Sequence, residues 1–163
     1  MRESAVSVRR RAEGADATRA LGARFAAALR RTASTTTAPL LVTLSGELGA
    51  GKTTFVGGLL EALGHPGPTR SPTYTLVEPY RLAGRDVYHC DLYRLRHAEE
   101  LDDLGWRDLH RPGAVLLVEW PEQAAGRLGP PDVVIELRYA GDASRDVTFA
   151  AQSAVGSELL AHL

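Results

Sequence analysis

A chain of 163 residues is the length of one domain, able to remove roughly 70% of its unfolded surface from water on folding. With 44% apolar and 24% charged residues its usage is that of a globular protein, which excludes a disordered, collagenous or coiled-coil chain. The single cysteine, Cys90, permits no internal disulfide, and the chain reads as a reduced, intracellular, cytoplasmic protein. No apolar run approaches the roughly 20 residues needed to span a bilayer. The opening MRESAVSVRRRAEG has arginines but no apolar stretch behind them, so it is not a secretory signal, and Glu3, Glu13 and Asp16 oppose an organellar presequence.

The net charge of −1 conceals an asymmetry: residues 1–31 hold eight Arg against three acids, and the remainder carries a local −6. The expectation from this pattern is a flexible, solvated Arg-rich N-terminus over residues 1–14 followed by one domain over 15–163. The basic residues are also lopsided in kind, for 18 are Arg and only Lys52 is Lys.

In chain order, Ala17, Leu21, Phe25, Ala28 and Leu29 recur at helical spacing and predict an amphipathic helix from Asp16 to Arg31. The Ser/Thr run after it ends that helix. Leu40 to Leu44 is a continuous apolar run between Pro39 and Gly46, the pattern of a strand buried on both faces. Residues 52–63 suit a helix ended by Gly64 and Pro66, and residues 65–73 form an irregular Pro/Gly loop. Tyr74–Arg81 and Asp86–Tyr93, separated by LAGR, predict a hairpin. A short acidic helix over 97–104 follows, then a second buried strand from Ala114 to Val118. Val133–Tyr139 and Val147–Ala151 alternate as an antiparallel pair, and residues 153–163 close the chain with a helix. Helices mixed with buried and alternating strands predict a single α/β domain whose sheet has parallel strands flanked by antiparallel ones.

Residues 46–54, GELGAGKTT, fit the G-x-x-x-x-G-K-[ST] pattern of a phosphate-binding loop, with an apolar strand before it and a helical segment after it. Glycines at 46, 49 and 51 free the backbone to turn successive N–H groups of Glu47, Leu48, Gly49, Ala50 and Gly51 inward, and with the start of the following helix they form a cradle for phosphate oxygens. Lys52 is a flexible point charge for the β and γ phosphates, Thr53 offers a hydroxyl to Mg²⁺, and Thr54 is a further phosphate contact. The chain's one lysine occupies the one position where the pattern demands it.

Hydrolysis needs, in addition, a carboxylate at the end of a neighbouring strand. Glu119 directly follows AVLLV, the place of a Walker B acid; otherwise it is an exposed strand-end acid. Asp91, in VYHCDLYRL, shares by the period of two a face with His89 and Tyr93. An acid within a strand calls for a metal, a phosphate-bound water or an arginine such as Arg94 as partner. Ser71, Pro72 and Thr73 lie in the loop where other P-loop proteins carry switch hydroxyls, or else form a rigid Pro turn. Trp120 either stacks on the base or packs in the core. An N-K-x-D guanine reader cannot exist beside the single lysine, which favours adenine, and no LSGG-type signature of a transporter ATPase is present.

GELGAGKTT, SPTYTLVEPY, YHCDLYRL and LLVEWPE, in this order and at these spacings, resemble the TsaE (YjeE) family over roughly residues 16–163. This is the bacterial P-loop ATPase family of tRNA threonylcarbamoyladenosine (t6A) biosynthesis. The resemblance implies a single mixed-sheet α/β domain binding ATP and Mg²⁺. In it Lys52, Asp91 and Glu119 are the catalytic positions, Thr53, Glu119 and Asp91 are the metal positions, and Ser71, Thr73 and Trp120 join the P-loop around the nucleotide. It also implies action with TsaD and TsaB, which transfer the threonylcarbamoyl group to adenosine 37 of ANN-decoding tRNAs, while slow ATP hydrolysis regulates or resets the complex. A small-molecule kinase and a non-hydrolysing nucleotide-gated binding module remain as alternatives at this stage. Cys90, where an aromatic residue often stands in the family, and the N-terminal extension depart from the pattern.

Overall fold

The computed structural model describes residues 6–72 and 75–163; Thr73, one of the expected switch residues, lies outside them. Seven strands form one sheet: β1 (Ser7–Glu13), β2 (Leu40–Ser45), β3 (Val77–Leu82), β4 (Arg85–Asp91), β5 (Val115–Glu119), β6 (Val133–Tyr139) and β7 (Ser144–Ala151), in the order β1-β7-β6-β2-β5-β4-β3. The four central strands β6, β2, β5 and β4 are parallel, and β7, β1 and β3 pair antiparallel at the flanks. This is the mixed α/β arrangement that the alternation of buried and half-buried runs predicts. The two continuous apolar runs, in β2 and β5, occupy the centre of the sheet, where both faces are covered.

Helices α1 (Gly14–Arg31), α2 (Lys52–Ala62) and α4 (Ala154–Leu160) cover one face, and the short α3 (Glu100–Asp103) with irregular segments covers the other. On the helical face Phe25 of α1, Phe55 of α2 and Phe149 of β7 meet with ring centroids 5.9–6.1 Å apart and lock the two helices to the sheet. The opposite face is a smaller core around Leu92, Leu101, Trp106, Leu116 and Val118.

The N-terminal segment departs from the sequence expectation. Instead of a flexible tail over residues 1–14, Ser7–Glu13 is the edge strand, paired along its length with β7. Val8 and Ala12 face the core while Arg9 and Arg11 project to the other side, and both guanidinium groups reach Asp146 at 3.0 and 3.1 Å. Three consecutive arginines mask the period of two, and the pairing partner is 130 or more residues away, so local pattern alone does not reveal it. Smaller shifts concern boundaries. The acidic helix is confined to Glu100–Asp103, and β7 starts at Ser144 because its polar first turns still find backbone partners on β6.

Helix α2 follows the glycine-rich turn 46–51, and what positions it is a close crossing with α1. A Cβ added to Gly58 would stand 2.0 Å from the carbonyl oxygen of Arg19, and one on Gly22 would stand 2.1 Å from that of Phe55. No side chain fits in that seam. Gly57, one residue away, faces only an ordinary 3.5 Å contact with Thr69. Gly58→Ala should therefore push the helices apart and cost about 1–3 kcal/mol, lowering the midpoint of thermal unfolding by roughly 2–4 °C per kcal/mol. Gly57→Ala should be neutral or stabilising through helix propensity. Thermal denaturation followed by circular dichroism checks the contrast, and equal midpoints for the two variants would contradict it.

Candidate functional site

Between the end of β2 and the start of α2 the chain turns through residues 46–51. Gly49 has φ 80° and Gly51, the residue capping α2, has φ 104°, both in the left-handed region that favours glycine. At Gly49 there is a second reason, since a Cβ would lie 2.7 Å from the Tyr139 hydroxyl. The outside of the turn is braced by the β6–β7 hairpin. Tyr139 Oη donates to the Leu48 carbonyl at 2.8 Å, and Arg145, stacked 4.2 Å over the Tyr139 ring, donates to the Ala50 carbonyl at 3.2 Å. Two loop carbonyls are thus held outward.

The loop opens onto a cleft of about 340 Å³ lined by Gly49, Gly51, Lys52, Thr53, Thr54, Ser71, Asp91, Glu119 and Trp120, with Leu48 at its lip. Glu47 and Ala50 belong to the turn but do not line the cleft; the Ala50 N–H donates to the Glu47 carbonyl at 3.0 Å. Lys52 is only 4% exposed. Its Nζ donates to the Gly46 carbonyl and, at 3.0 Å, to that of Glu47, and it sits 4.1 Å from the centroid of the Trp120 ring. Burial pulls the Lys52 amine below the usual lysine value, against the pull of Glu119, Glu122 and Asp91.

Sheet register brings the acids together. Asp91 ends β4 and Glu119 ends β5, and the two are paired in the parallel ladder, side by side at the C-terminal edge of the sheet. The period of two turns both toward the face on which α2 lies. Glu119 is 2% exposed, not a solvated strand-end acid. Both of its carboxylate oxygens lie within reach of the Thr53 hydroxyl, at 3.1 and 3.2 Å, and Thr53 Oγ1 is 2.6 Å from Ser71 Oγ. Ser71 also lines the cleft beside Asp91 and draws its carboxyl down against the lift of burial, so the loop beyond α2 meets both halves of the site. Asp91 Oδ1 accepts the Tyr93 N–H at 3.0 Å; Tyr93 lies past the end of β4, and Arg94 lines the same cleft.

Trp120 does both: it lines the cleft and packs, partly buried, against the smaller core. It follows β5 with φ 57° and ψ 51°, a left-handed conformation that a bulky residue adopts at a cost of order 1–3 kcal/mol. That turn sends its ring over Lys52 and against Tyr93, at 4.9 Å between centroids. Sequence reasoning placed Lys52, Thr53, Thr54, Ser71, Asp91 and Glu119 in one site, and all six line it. It assigned no role to His89, Tyr139 or Arg145. His89 is fully buried with Nε2 2.5 Å from Glu119 Oε2, a contact that the shared face with Asp91 hints at without disclosing.

Hard oxygen donors, one hydroxyl and two carboxylates beside a phosphate-loop helix, suit Mg²⁺ shared with phosphate oxygens. Among the described residues no three His, Cys, Asp or Glu side chains gather into an all-protein cage. Nor is any helix among them long and apolar enough to cross a membrane.

The model of the family described as "Threonylcarbamoyl adenosine biosynthesis protein TsaE" matches residues 12–147. The chain belongs to the TsaE family. Among TsaE proteins, that of Haemophilus influenzae is 44% identical over 121 residues, covering 74% of this chain and 76% of the relative. The Bacillus subtilis TsaE is 39% identical over 111 residues, with 68% and 69% covered. The crystal structure of Bacillus subtilis YdiB superposes with a TM-score of 0.71 at 31% identity, covering 98% of each chain. TsaE membership ties the chain to tRNA threonylcarbamoyladenosine biosynthesis.

The electrostatics of the cleft carry a stability consequence. Burial lifts the Asp91 carboxyl above its usual 3.8, and the neighbouring Glu119 charge adds to the lift. A carboxyl with a raised folded-state pKa disfavours the fold once it ionises, so stability is lost as pH rises from 3.8 through the folded-state value. Asp91→Asn should therefore raise the thermal midpoint at neutral pH, and the gain should vanish below pH 3.8. Midpoints measured across that range test it, and a variant less stable than the parent at pH 7 would contradict it.

Proposed function

We propose that this TsaE-family chain binds Mg·ATP in the cleft and hydrolyses it slowly, acting in the cytoplasm with TsaD and TsaB in t6A37 modification of ANN-decoding tRNAs as a regulator or resetting factor. The observation that carries the reading is the contact of the Thr53 hydroxyl, at the start of α2, with the buried Glu119 carboxylate beside Asp91. A phosphate cradle and a pair of acids converge there on one spot. Adenine is favoured over guanine because the chain has no second lysine for a guanine-reading segment.

Magnesium, when bound, would neutralise charge on the phosphates. The chain's own residues do the rest. Lys52 exchanges its loop carbonyls for β and γ phosphate oxygens, Thr53 and Glu119 hold the cation directly or through water, and Asp91 orients the attacking water. The raised Asp91 pKa makes that carboxylate a better proton acceptor than a solvated one. Turnover by such sites alone is on the order of 10⁻⁴ to 10⁻² s⁻¹ until a partner adds charge stabilisation.

Calorimetry with magnesium and ATP should register binding that Lys52→Ala weakens by about 2–4 kcal/mol, the scale of a desolvated charge-assisted contact. Glu119→Gln and Asp91→Asn should keep measurable binding and lose hydrolysis, and TsaD with TsaB should accelerate the parent. Unchanged binding by Lys52→Ala would sink the reading. A phosphorylated metabolite in place of free phosphate would identify a kinase, and undiminished tRNA modification over many rounds with a non-hydrolysable analogue would identify a gated binding module.

A further inference from the structure

Among the described residues, His89 is the one polar side chain at 0% exposure, and the proposed chemistry does not use it. It does not line the cleft. Its Nε2 lies 2.5 Å from Glu119 Oε2. A carboxylate only accepts, so the proton of this contact sits on Nε2. The other ring nitrogen, Nδ1, is buried without a hydrogen-bond partner among the described residues. A histidine retained merely to fill space would be better replaced by an apolar residue, and one retained to knit the core would use both nitrogens. Here a single nitrogen is committed, and its partner is the acid at the cleft.

The geometry of that partner explains why. Glu119 stands on β5 one residue before the left-handed Trp120 and has a flexible side chain at the open edge of the sheet. Thr53 Oγ1 contacts both of its oxygens from one side. That contact alone lets the carboxylate pivot. His89 is one ladder step behind, on β4, registered opposite Leu117 two residues before Glu119, and it grips Oε2 from within the sheet. Two donors from two directions fix the carboxylate plane.

We propose that His89 is a positioning residue for Glu119: by donating Nε2–H to Oε2 it holds the carboxylate in the orientation that receives the nucleotide's divalent cation. The inference rests on the reading of the cleft as a Mg·ATP site. Ligating carboxylates are commonly oriented in this way by outer donors, whose removal costs roughly 10–100-fold in metal affinity.

The test is a magnesium titration of nucleotide binding, followed by calorimetry at fixed ATP, on the parent, His89→Leu, His89→Gln and His89→Asn. ATP affinity in EDTA provides the reference, because a side chain that only supported the fold would alter it too. His89→Leu should raise the Mg²⁺ concentration for half-maximal binding about tenfold or more and leave affinity in EDTA as in the parent. Glutamine, whose amide nitrogen reaches the place of Nε2, should restore the parent value, and asparagine, which falls short, should not. Should His89→Leu fail to fold, the Gln and Asn pair decides alone. A half-maximal concentration equal to the parent's in the Leu or Asn variant, or a Gln variant as impaired as Asn, overturns the proposal. A parent whose ATP binding ignores Mg²⁺ overturns instead the reading on which it rests.

Discussion

The hydrogen bond between Thr53 and Glu119 is the contact on which this molecule turns. It joins the first turn of α2 to the end of β5, two elements 66 residues apart in sequence. A carboxylate beside a helix N-terminus gains from the partial positive charge of the helix dipole. Without it, Glu119 would be an acid at 2% exposure facing Asp91 on the next strand. Two adjacent carboxylates are tolerated because Lys52, the Thr53 and Ser71 hydroxyls and the His89 imidazole crowd around them. The site is thus a balanced cluster in which each charge depends on the placement of the others.

That placement is secured from behind by packing of a different kind. The seam between Gly22 and Gly58 lets α1 and α2 touch backbone to backbone, and the Phe25, Phe55 and Phe149 trio fixes both to the sheet. From the front, Tyr139 and Arg145 hold the carbonyls of Leu48 and Ala50. The glycine-rich turn is therefore clamped between a helix pair and a hairpin, while local cost accumulates around the cleft beside it: a desolvated lysine, a desolvated aspartate and a tryptophan with positive φ. Such concentration of unfavourable terms at one spot of an otherwise well-packed domain is the usual signature of a site kept for binding.

How much of this was legible beforehand follows from the range of each interaction. The buried strands β2 and β5, helices α1 and α2 and the phosphate turn were readable because apolar runs, helical spacing and glycine placement are local. Glu119 was readable because a strand end after an apolar run is local too, whereas Asp91 stood out as an acid within a strand and in the structure ends β4. The edge strand β1 was not, since its stability comes from pairing with β7 and from Asp146, neither of which marks the arginine-rich segment itself. Nor were His89, Tyr139 and Arg145. Their roles depend on which strands become neighbours and in what register, and a period of two says which side chains share a face but not what they face.

The choice of lysine at position 52 shows how chemistry overrides composition. This chain builds every other basic position from arginine, 18 in all. Elsewhere Arg9, Arg11, Arg19, Arg81 and Arg127 pair with acids that are exposed or half-buried, and Arg127 spans two of them with its fork. Position 52 is different. Its ammonium is enclosed between the loop carbonyls of Gly46 and Glu47 and the face of Trp120, in a space set by the turn itself. A compact ammonium with three donors can serve both carbonyls while lying over the ring; a planar guanidinium carries five donors in a fixed fork and would have to place them differently in the same space. The chain's one lysine therefore stands where backbone carbonyls and an aromatic face enclose the cation.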